Sequence, residues 1–70
     1  MNSIYINDRG KQYQISLLEK NEKKTYVIFV KTEDEEKFKT VYYLSEEEFD
    51  SDQDAYDDAI NNIINSYKKE

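Results

Sequence analysis

The pattern of hydrophobic and polar positions divides the chain into two parts. Up to residue 44, apolar side chains alternate with polar ones, which is typical of strands with one buried face. The alternation covers residues 3–7, 11–18, 25–31 and 38–44. Short polar segments separate these stretches, and short connections favour antiparallel neighbours. The sequence therefore predicts a four-stranded antiparallel meander. Gly10 and Asn21 lie in the first two connections and suit a left-handed turn conformation.

The remainder of the chain, residues 45–69, is predicted to be helical. Its apolar positions recur at steps of three and four residues, which is the spacing of one helix face. These positions are Tyr56, Ala59, Ile60, Ile63, Ile64 and Tyr67. Residues 1–70 are thus expected to form a single α+β domain, a meander packed on one C-terminal helix.

Two serines are candidates for the start of this helix. Ser45 and Glu48 fit the S-x-x-E capping box, with Leu44 and Phe49 placed as its hydrophobic staple. This pattern predicts a first helical turn at Ser45. Ser51 is followed three residues later by an aspartate and offers a second cap of the same kind.

One helix covers only one face of the sheet. The covered face is expected to hold Ile4, Ile6, Tyr13, Ile15, Leu17, Tyr26, Ile28, Val30, Tyr42 and Leu44. The second face is also apolar and aromatic, and it is predicted to carry Tyr5, Val27, Phe29, Val41 and Tyr43. Contiguous exposed apolar patches often mark interfaces. We therefore expect a homodimer or a partner protein on this second face.

The composition narrows the chemistry available to the chain. A domain of 70 residues buries only about 60% of its unfolded surface and is marginal alone, which also favours self-association. Cysteine and histidine are absent, so thiolate and imidazole ligands and nucleophile–base pairs with these residues are excluded. A single glycine leaves no phosphate-binding loop. We expect a binding protein without catalytic activity, metal or cofactor.

The N-terminal residues lack the basic start and apolar run of a secretion signal. The longest apolar run, residues 26–30, is far shorter than the roughly 20 residues of a membrane helix. The sequence thus favours a cytoplasmic protein that does not interact with membranes.

Charge is distributed unevenly along the chain. Residues 1–39 carry eight Lys/Arg and seven Asp/Glu, whereas residues 40–70 carry two Lys and nine Asp/Glu. The net charge is −6, which disfavours direct binding to nucleic acid or anionic membranes and favours basic partners. Lys20, Lys23 and Lys24 form a basic cluster, but Glu19 and Glu22 dilute it.

The acidic residues are concentrated between positions 46 and 58. They are Glu46, Glu47, Glu48, Asp50, Asp52, Asp54, Asp57 and Asp58. On one continuous helix they would span about 20 Å, with one charge per roughly 2.4 Å. Duplex DNA carries one charge per about 1.7 Å, so this surface is a candidate DNA mimic. The alternative is a solvated helix start, because acids stabilise helix N-termini and charged runs are usually exposed.

The spacing of Asp50, Asp52 and Asp54 also matches the opening of an EF-hand calcium loop. However, Ala55 replaces the glycine at loop position 6, and Asn61 replaces the glutamate at position 12. The sequence therefore favours an acidic surface over a metal site.

In size, acidity, composition and lack of Cys and His, the whole chain resembles small acidic proteins with which bacteriophages disable host or defence proteins, including DNA mimics. This resemblance implies a stoichiometric inhibitor of a basic DNA-binding protein or nuclease in the bacterial host cytoplasm, often dimeric. The rival hypothesis is an interaction or scaffold module that acts through Tyr5, Phe29 and Tyr43.

Overall fold

The computed structural model describes residues 3–68, without the side chains of residues 40 and 66–68. It contains the strands β1 (Ser3–Asp8), β2 (Lys11–Lys20), β3 (Lys23–Thr32) and β4 (Thr40–Leu44), followed by the helix α1 (Asp52–Lys68). The strands form one antiparallel sheet in the order β1-β2-β3-β4. The predicted α+β fold is confirmed. Within the described residues, no helix has the length and apolar character needed to cross a membrane.

Two tight hairpins connect the first three strands. Each turn has two residues, and all four adopt positive φ: Arg9 (51°), Gly10 (78°), Asn21 (52°) and Glu22 (67°). Two consecutive left-handed residues are the mark of a type I′ turn, which matches the twist of the flanking strands. The roles predicted for Gly10 and Asn21 are confirmed. Because these turns are tight, β2 and β3 extend further than the hydrophobic pattern predicts.

The pairing of β3 with β4 contains a register shift between Ile28 and Phe29. The partners are Val27↔Leu44, Ile28↔Tyr43, Phe29↔Val41 and Val30↔Thr40. An extra residue in one strand interrupts the alternation of faces, and directly paired residues share a face. Tyr43 therefore lies on the helix side, where its ring is 5.9 Å from that of Tyr26. Leu44 lies on the other side and is 59% exposed. The predicted faces of Tyr43 and Leu44 are wrong for this reason.

Strand β4 begins at Thr40, two residues later than predicted. Phe38 lies outside the strand and contacts the ring of Tyr5 at a centroid distance of 6.2 Å. The ammonium of Lys31 lies 5.0 Å from the Phe38 ring centroid. Since Tyr5 belongs to β1 at the opposite edge of the sheet, Phe38 extends over the sheet face that the helix leaves open.

The helix begins at Asp52, and the predicted start at Ser45 is wrong. The Ser45 amide donates a hydrogen bond to the Tyr26 carbonyl (3.1 Å). Phe49 and Lys24 exchange two backbone hydrogen bonds of 2.7 and 2.8 Å. The chain between them is thus held against the outer edge of β3 and cannot enter a helix. Ser51 provides the cap instead, since its Oγ accepts from the Asp54 amide at 3.1 Å.

The predicted hydrophobic staple does not form. Leu44 is largely exposed, whereas the Phe49 ring packs 5.9 Å from the Tyr26 ring. Phe49 therefore fastens the loop before the helix to the core.

The core lies between α1 and the two central strands. Its buried members are Tyr13, Ile15, Leu17, Tyr26, Ile28, Ala55, Ala59 and Ile63. Ile4, Ile6, Val30, Tyr42, Phe49, Tyr56 and Ile60 pack around it while partly buried. Ala55 and Ala59 have no exposed surface, and their small side chains let the helix approach the sheet closely. Apart from Leu44, the predicted helix-covered face lies in this core or packs against it.

Candidate functional site: an acidic surface and an open sheet face

The eight acids predicted as a binding surface, here called the acidic surface, lie on two different elements. Glu46, Glu47, Glu48 and Asp50 belong to the segment along the β3 edge, and Asp52, Asp54, Asp57 and Asp58 belong to α1. The helical part, residues 52–58, extends about 10 Å along the helix axis. The expected single helix with DNA-like charge spacing is therefore wrong, because backbone hydrogen bonds hold residues 45 and 49 on the sheet.

The β2–β3 turn brings two lysines against the acidic surface. Lys23 forms an ion pair with Asp50, and Lys24 contacts Glu19 at 2.8 Å and Asp52 at 3.9 Å. The acidic surface is thus partly neutralised within the molecule. The same contacts occupy two of the three lysines of the predicted basic cluster, which further disfavours that cluster as a nucleic-acid site.

These ion pairs shift the pKa values of their members so that the charged form of each group is favoured. The hydrogen bond and charge of Lys23 lower the pKa of Asp50, and Asp50 in turn raises the pKa of Lys23. Lys24 likewise lowers the pKa of Glu19. All of these groups are therefore charged at neutral pH, and the partial neutralisation persists there.

Asp58 has a structural environment different from that of the other acids. Its Oδ2 accepts a hydrogen bond from the Tyr26 hydroxyl at 2.6 Å and lies 3.3 Å from the Asn62 side-chain amide. Asn62 also donates to the Tyr26 oxygen. Tyr26 is completely buried, and burial together with the bond to Asp58 raises its pKa. Asp58 thus joins the helix to the centre of the sheet, and its role in partner binding stays a prediction.

The acids that remain for an external partner are exposed. They are Glu46, Glu47, Glu48, Asp54 and Asp57. Among the side chains that the structure describes, none of these five forms an ion pair within 4.0 Å, although the charge of Glu48 contributes to the raised pKa of Lys23. Asp57 accepts one hydrogen bond, from Gln53 at 2.8 Å. Asp54 and Asp57 are three residues apart and therefore lie on the same outer side of the helix.

The calcium-loop alternative is not supported by this geometry. Asp52 and Asp54 lie in the first turn of α1, and Asp50 is held by Lys23. Across the part of the chain that the structure describes, no group of three or more acidic side chains is arranged to hold a metal ion.

The sheet face opposite the helix, here called the open face, carries a shallow groove of about 410 Å³. Its walls are Gln14, Ser16, Leu18, Val27, Phe29 and Phe38. Tyr5 and Val41 lie on the same face and are 59% and 50% exposed. Val27, in contrast, is only 8% exposed. Four of the five residues predicted for this face are therefore found there, and Tyr43 is not.

Comparisons with known proteins give no further assignment. A scan against protein-family models finds no match, and searches of curated proteins and of solved structures find none either. The function must accordingly be inferred from the residues themselves.

Three apolar side chains on the open face, Leu18, Phe38 and Leu44, were not among the predicted site residues. Leu18 follows from the alternation of β2, because Leu17 points to the core. Leu44 reaches the face only through the register shift, and Phe38 reaches it from a loop. The hydrophobic pattern does not predict that Leu44 and Phe38 lie on this face.

Proposed function

We propose that this chain binds a basic DNA-binding protein through the acidic surface and inhibits it by competing with DNA. The observation that carries the proposal is the grouping of exposed acids on the segment before α1 and on its first turns. With Lys23 and Lys24 already in ion pairs, five exposed carboxylates remain available to an external cation. Arginine and lysine side chains that normally contact phosphates are suitable partners for carboxylates.

Long-range electrostatics would supply the specificity for basic proteins. A surface of one sign attracts oppositely charged partners and raises the association rate in a salt-dependent way. Salt ions screen the attraction between exposed carboxylates and a basic partner. Binding is therefore expected to weaken as the salt concentration rises.

A charge-reversal variant with a matched control tests the proposal. The test variant changes Glu47, Asp54 and Asp57 to lysine, because these residues are exposed and outside the Tyr26–Asp58 contact. The control variant changes Glu33, Asp34 and Glu36 to lysine, because these exposed acids lie in the connection after β3, at the opposite end of that strand from Lys23 and Lys24. Both variants alter the net charge equally, so only the position of the change differs.

Both variants and the unchanged chain serve as bait in a bacterial lysate, and the captured proteins are eluted with salt or with duplex DNA. We expect a DNA-binding protein that duplex DNA displaces, that the control variant retains and that the test variant loses. A partner that stays bound to the test variant, or that DNA does not displace, would contradict the proposed mechanism.

A second candidate function rests on the open face. Its groove and the exposed Leu18, Val41 and Leu44 give an apolar surface suited to a protein partner. A partner on this face is expected to resist salt. It should be lost when Val41 and Leu44 are changed to aspartate, and retained by the triple charge reversal.

A further inference from the structure

We propose that two copies of this chain pair along the free edges of their β1 strands, antiparallel, with Tyr5 facing Tyr5 of the second copy. Within the described residues, no strand pairs with the outer side of β1. This inference goes beyond the proposed function and is independent of the acidic surface.

The hairpin turns determine which backbone groups of β1 point outward. In a two-residue hairpin, the residues that flank the turn form a hydrogen-bonded pair, and such pairs then alternate along the strands. The pair Asp8↔Lys11 flanks the first turn, so residues 8, 6 and 4 bond to β2. The amide and carbonyl groups of Ser3, Tyr5 and Asn7 consequently face away from the sheet.

The second hairpin and the hydrogen bonds on the outer side of β3 support the same alternation. Lys20↔Lys23 flanks the second turn, so β2 bonds to β3 through its even-numbered residues and to β1 through its odd-numbered ones. On β3 the groups left for its outer side are also on even positions. Tyr26 and Val30 do accept hydrogen bonds there, at 3.1 and 3.4 Å. The assignment for β1 is thus consistent with the observed hydrogen bonds.

The outward amide and carbonyl groups of Ser3, Tyr5 and Asn7 are complementary to the same groups of a second copy related by a two-fold rotation. When Tyr5 faces its own counterpart, Ser3 of one copy faces Asn7 of the other, and every outward group finds a partner. The arrangement would form about six main-chain hydrogen bonds, two for each of three residue pairs. Within the described strand, residues 3–8, a shift by two residues leaves one outward residue of each copy without a partner, so the register centred on Tyr5 is favoured.

The β1 edge has few of the features that prevent edge pairing. Natural edge strands commonly contain charged side chains, above all lysine, or proline or a bulge. The sequence of β1, SIYIND, contains no lysine or proline, its one charged residue, Asp8, lies at the end of the strand, and its pairing with β2 is regular over all six residues. By contrast, the other edge strand, β4, has five residues and a register shift.

Side chains on the helix side of β1 favour the same arrangement. A groove of about 290 Å³ runs beside β1, and its apolar lining is Ile6, Ile60, Ile63 and Ile64. Ile64 is 47% exposed. In the proposed register, Ile4 of the second copy faces Ile6 across the new strand pair and extends the apolar lining of this groove.

The open face is a weaker candidate for contact between copies. Phe38 already lies over it against Tyr5, and Val27 and Ser16 at its centre are 8% and 3% exposed. A six-residue edge is nevertheless a small interface, below the roughly 1,200 Å² that stable complexes bury. We therefore expect a weak, reversible dimer with a dissociation constant between about 1 μM and 1 mM.

Single cysteines test the register, since the chain has none of its own. Facing residues of a hydrogen-bonded pair have Cα atoms about 5.5 Å apart, a separation within the range of a disulfide. Tyr5→Cys should therefore form a disulfide dimer under mild oxidation. Asn7→Cys is the matched control, because its two copies would be four strand residues apart, or about 13 Å. A mixture of Ser3→Cys and Asn7→Cys chains should crosslink as a heterodimer.

Sedimentation of the unchanged chain over a range of concentrations provides an independent readout. We expect a reversible dimer that added salt strengthens, because both copies carry the same net charge. A chain that stays monomeric up to about 1 mM, or Asn7→Cys crosslinking as well as Tyr5→Cys, would overturn the inference. A dimer that crosslinks only through a cysteine at Val41 would assign the contact to the open face and overturn it equally. None of these outcomes depends on whether the acidic surface binds a partner.

Discussion

The hydrogen bond between Tyr26 and Asp58 offers the most direct test of how this small domain is stabilised. Tyr26 is completely buried, and its hydroxyl group donates to Asp58 at 2.6 Å while accepting from Asn62. The substitution Tyr26→Phe removes only the hydroxyl group and keeps the ring that packs on Phe49. Any loss of stability therefore reports the polar contact between sheet and helix.

The expected loss follows from the surroundings of the bond. Hydrogen bonds to charged groups contribute about 1.5–3 kcal/mol. Asp58 is only partly buried and keeps a contact with Asn62, so we expect the lower part of that range, about 1.5–2 kcal/mol. For a domain of this size, each kcal/mol lowers the melting temperature by roughly 4–8 °C.

Urea unfolding followed by circular dichroism measures the change, and Tyr43→Phe is the matched control. Tyr43 lies next to Tyr26 but is 39% exposed, so its hydroxyl should contribute less than about 0.5 kcal/mol. Combined with Asp58→Ala in a double-mutant cycle, Tyr26→Phe should show a coupling of about 1 kcal/mol. Equal stabilities of Tyr26→Phe and the unchanged chain would refute the argument.

The same contact predicts a dependence on alkaline pH. Burial, and then the bond to Asp58, raises the pKa of Tyr26 above its ordinary value. Since tyrosines in the unfolded chain lose their protons near pH 10, the unfolded state binds fewer protons than the folded state above that pH. Stability should be unaffected by Tyr26 below pH 10 and should fall as the pH rises further. Tyr26→Phe should weaken this fall without abolishing it, because burial raises the pKa of Tyr56 as well.

Two further predictions concern local structure. Ser51→Ala should cost about 1 kcal/mol and accelerate amide exchange at Asp54, whereas Ser45→Ala should leave that amide protected; equal exchange in both variants, measured by NMR, would argue against Ser51 as the cap. Glu22→Gly should raise stability by about 0.5–1 kcal/mol in thermal unfolding, because Glu22 has a φ of 67° and glycine adopts that conformation without strain; a lower melting temperature would contradict this account of the turn.

Much of the fold could be predicted from periodicity because the strands obey it closely. Alternation placed Tyr13, Ile15 and Ile28 in the core, and all three are essentially unexposed. Turn chemistry at Gly10 and Asn21 was equally informative, since few residues accept positive φ. These features depend on local sequence, and they could be found without knowledge of the partners in space.

The largest errors share one location, the outer edge of β3. Ser45 fits a helix cap by its neighbours in sequence, but its amide bonds to Tyr26, which is nineteen residues away along the chain. The register shift that exchanges the faces of Tyr43 and Leu44 lies on the same edge. Such pairings depend on contacts between distant segments, and a capping pattern or an alternation contains no information about them.

The residues of the candidate acidic surface could be listed from the sequence, but their arrangement in space could not be predicted. The acids were identified by counting, yet their division between an extended segment and a helix depends on the same β3 edge. Asp58 could not be distinguished from its neighbours either, because its partner Tyr26 lies in a different strand. The exposed acids, rather than the whole run, are therefore the appropriate targets for charge reversal.

The positions of the two proposed contacts indicate how they would combine. The segment carrying Glu46, Glu47 and Glu48 runs along the outer edge of β3, whereas the proposed dimer contact uses β1 at the opposite edge of the sheet. Pairing through β1 would leave both acidic surfaces accessible, one at each end of an eight-stranded sheet. Salt should affect the two contacts in opposite directions, strengthening the pairing of like-charged copies and weakening the capture of a basic partner. Low salt should therefore favour one chain per partner, and a complex of two chains with two partners should form only at high chain concentration.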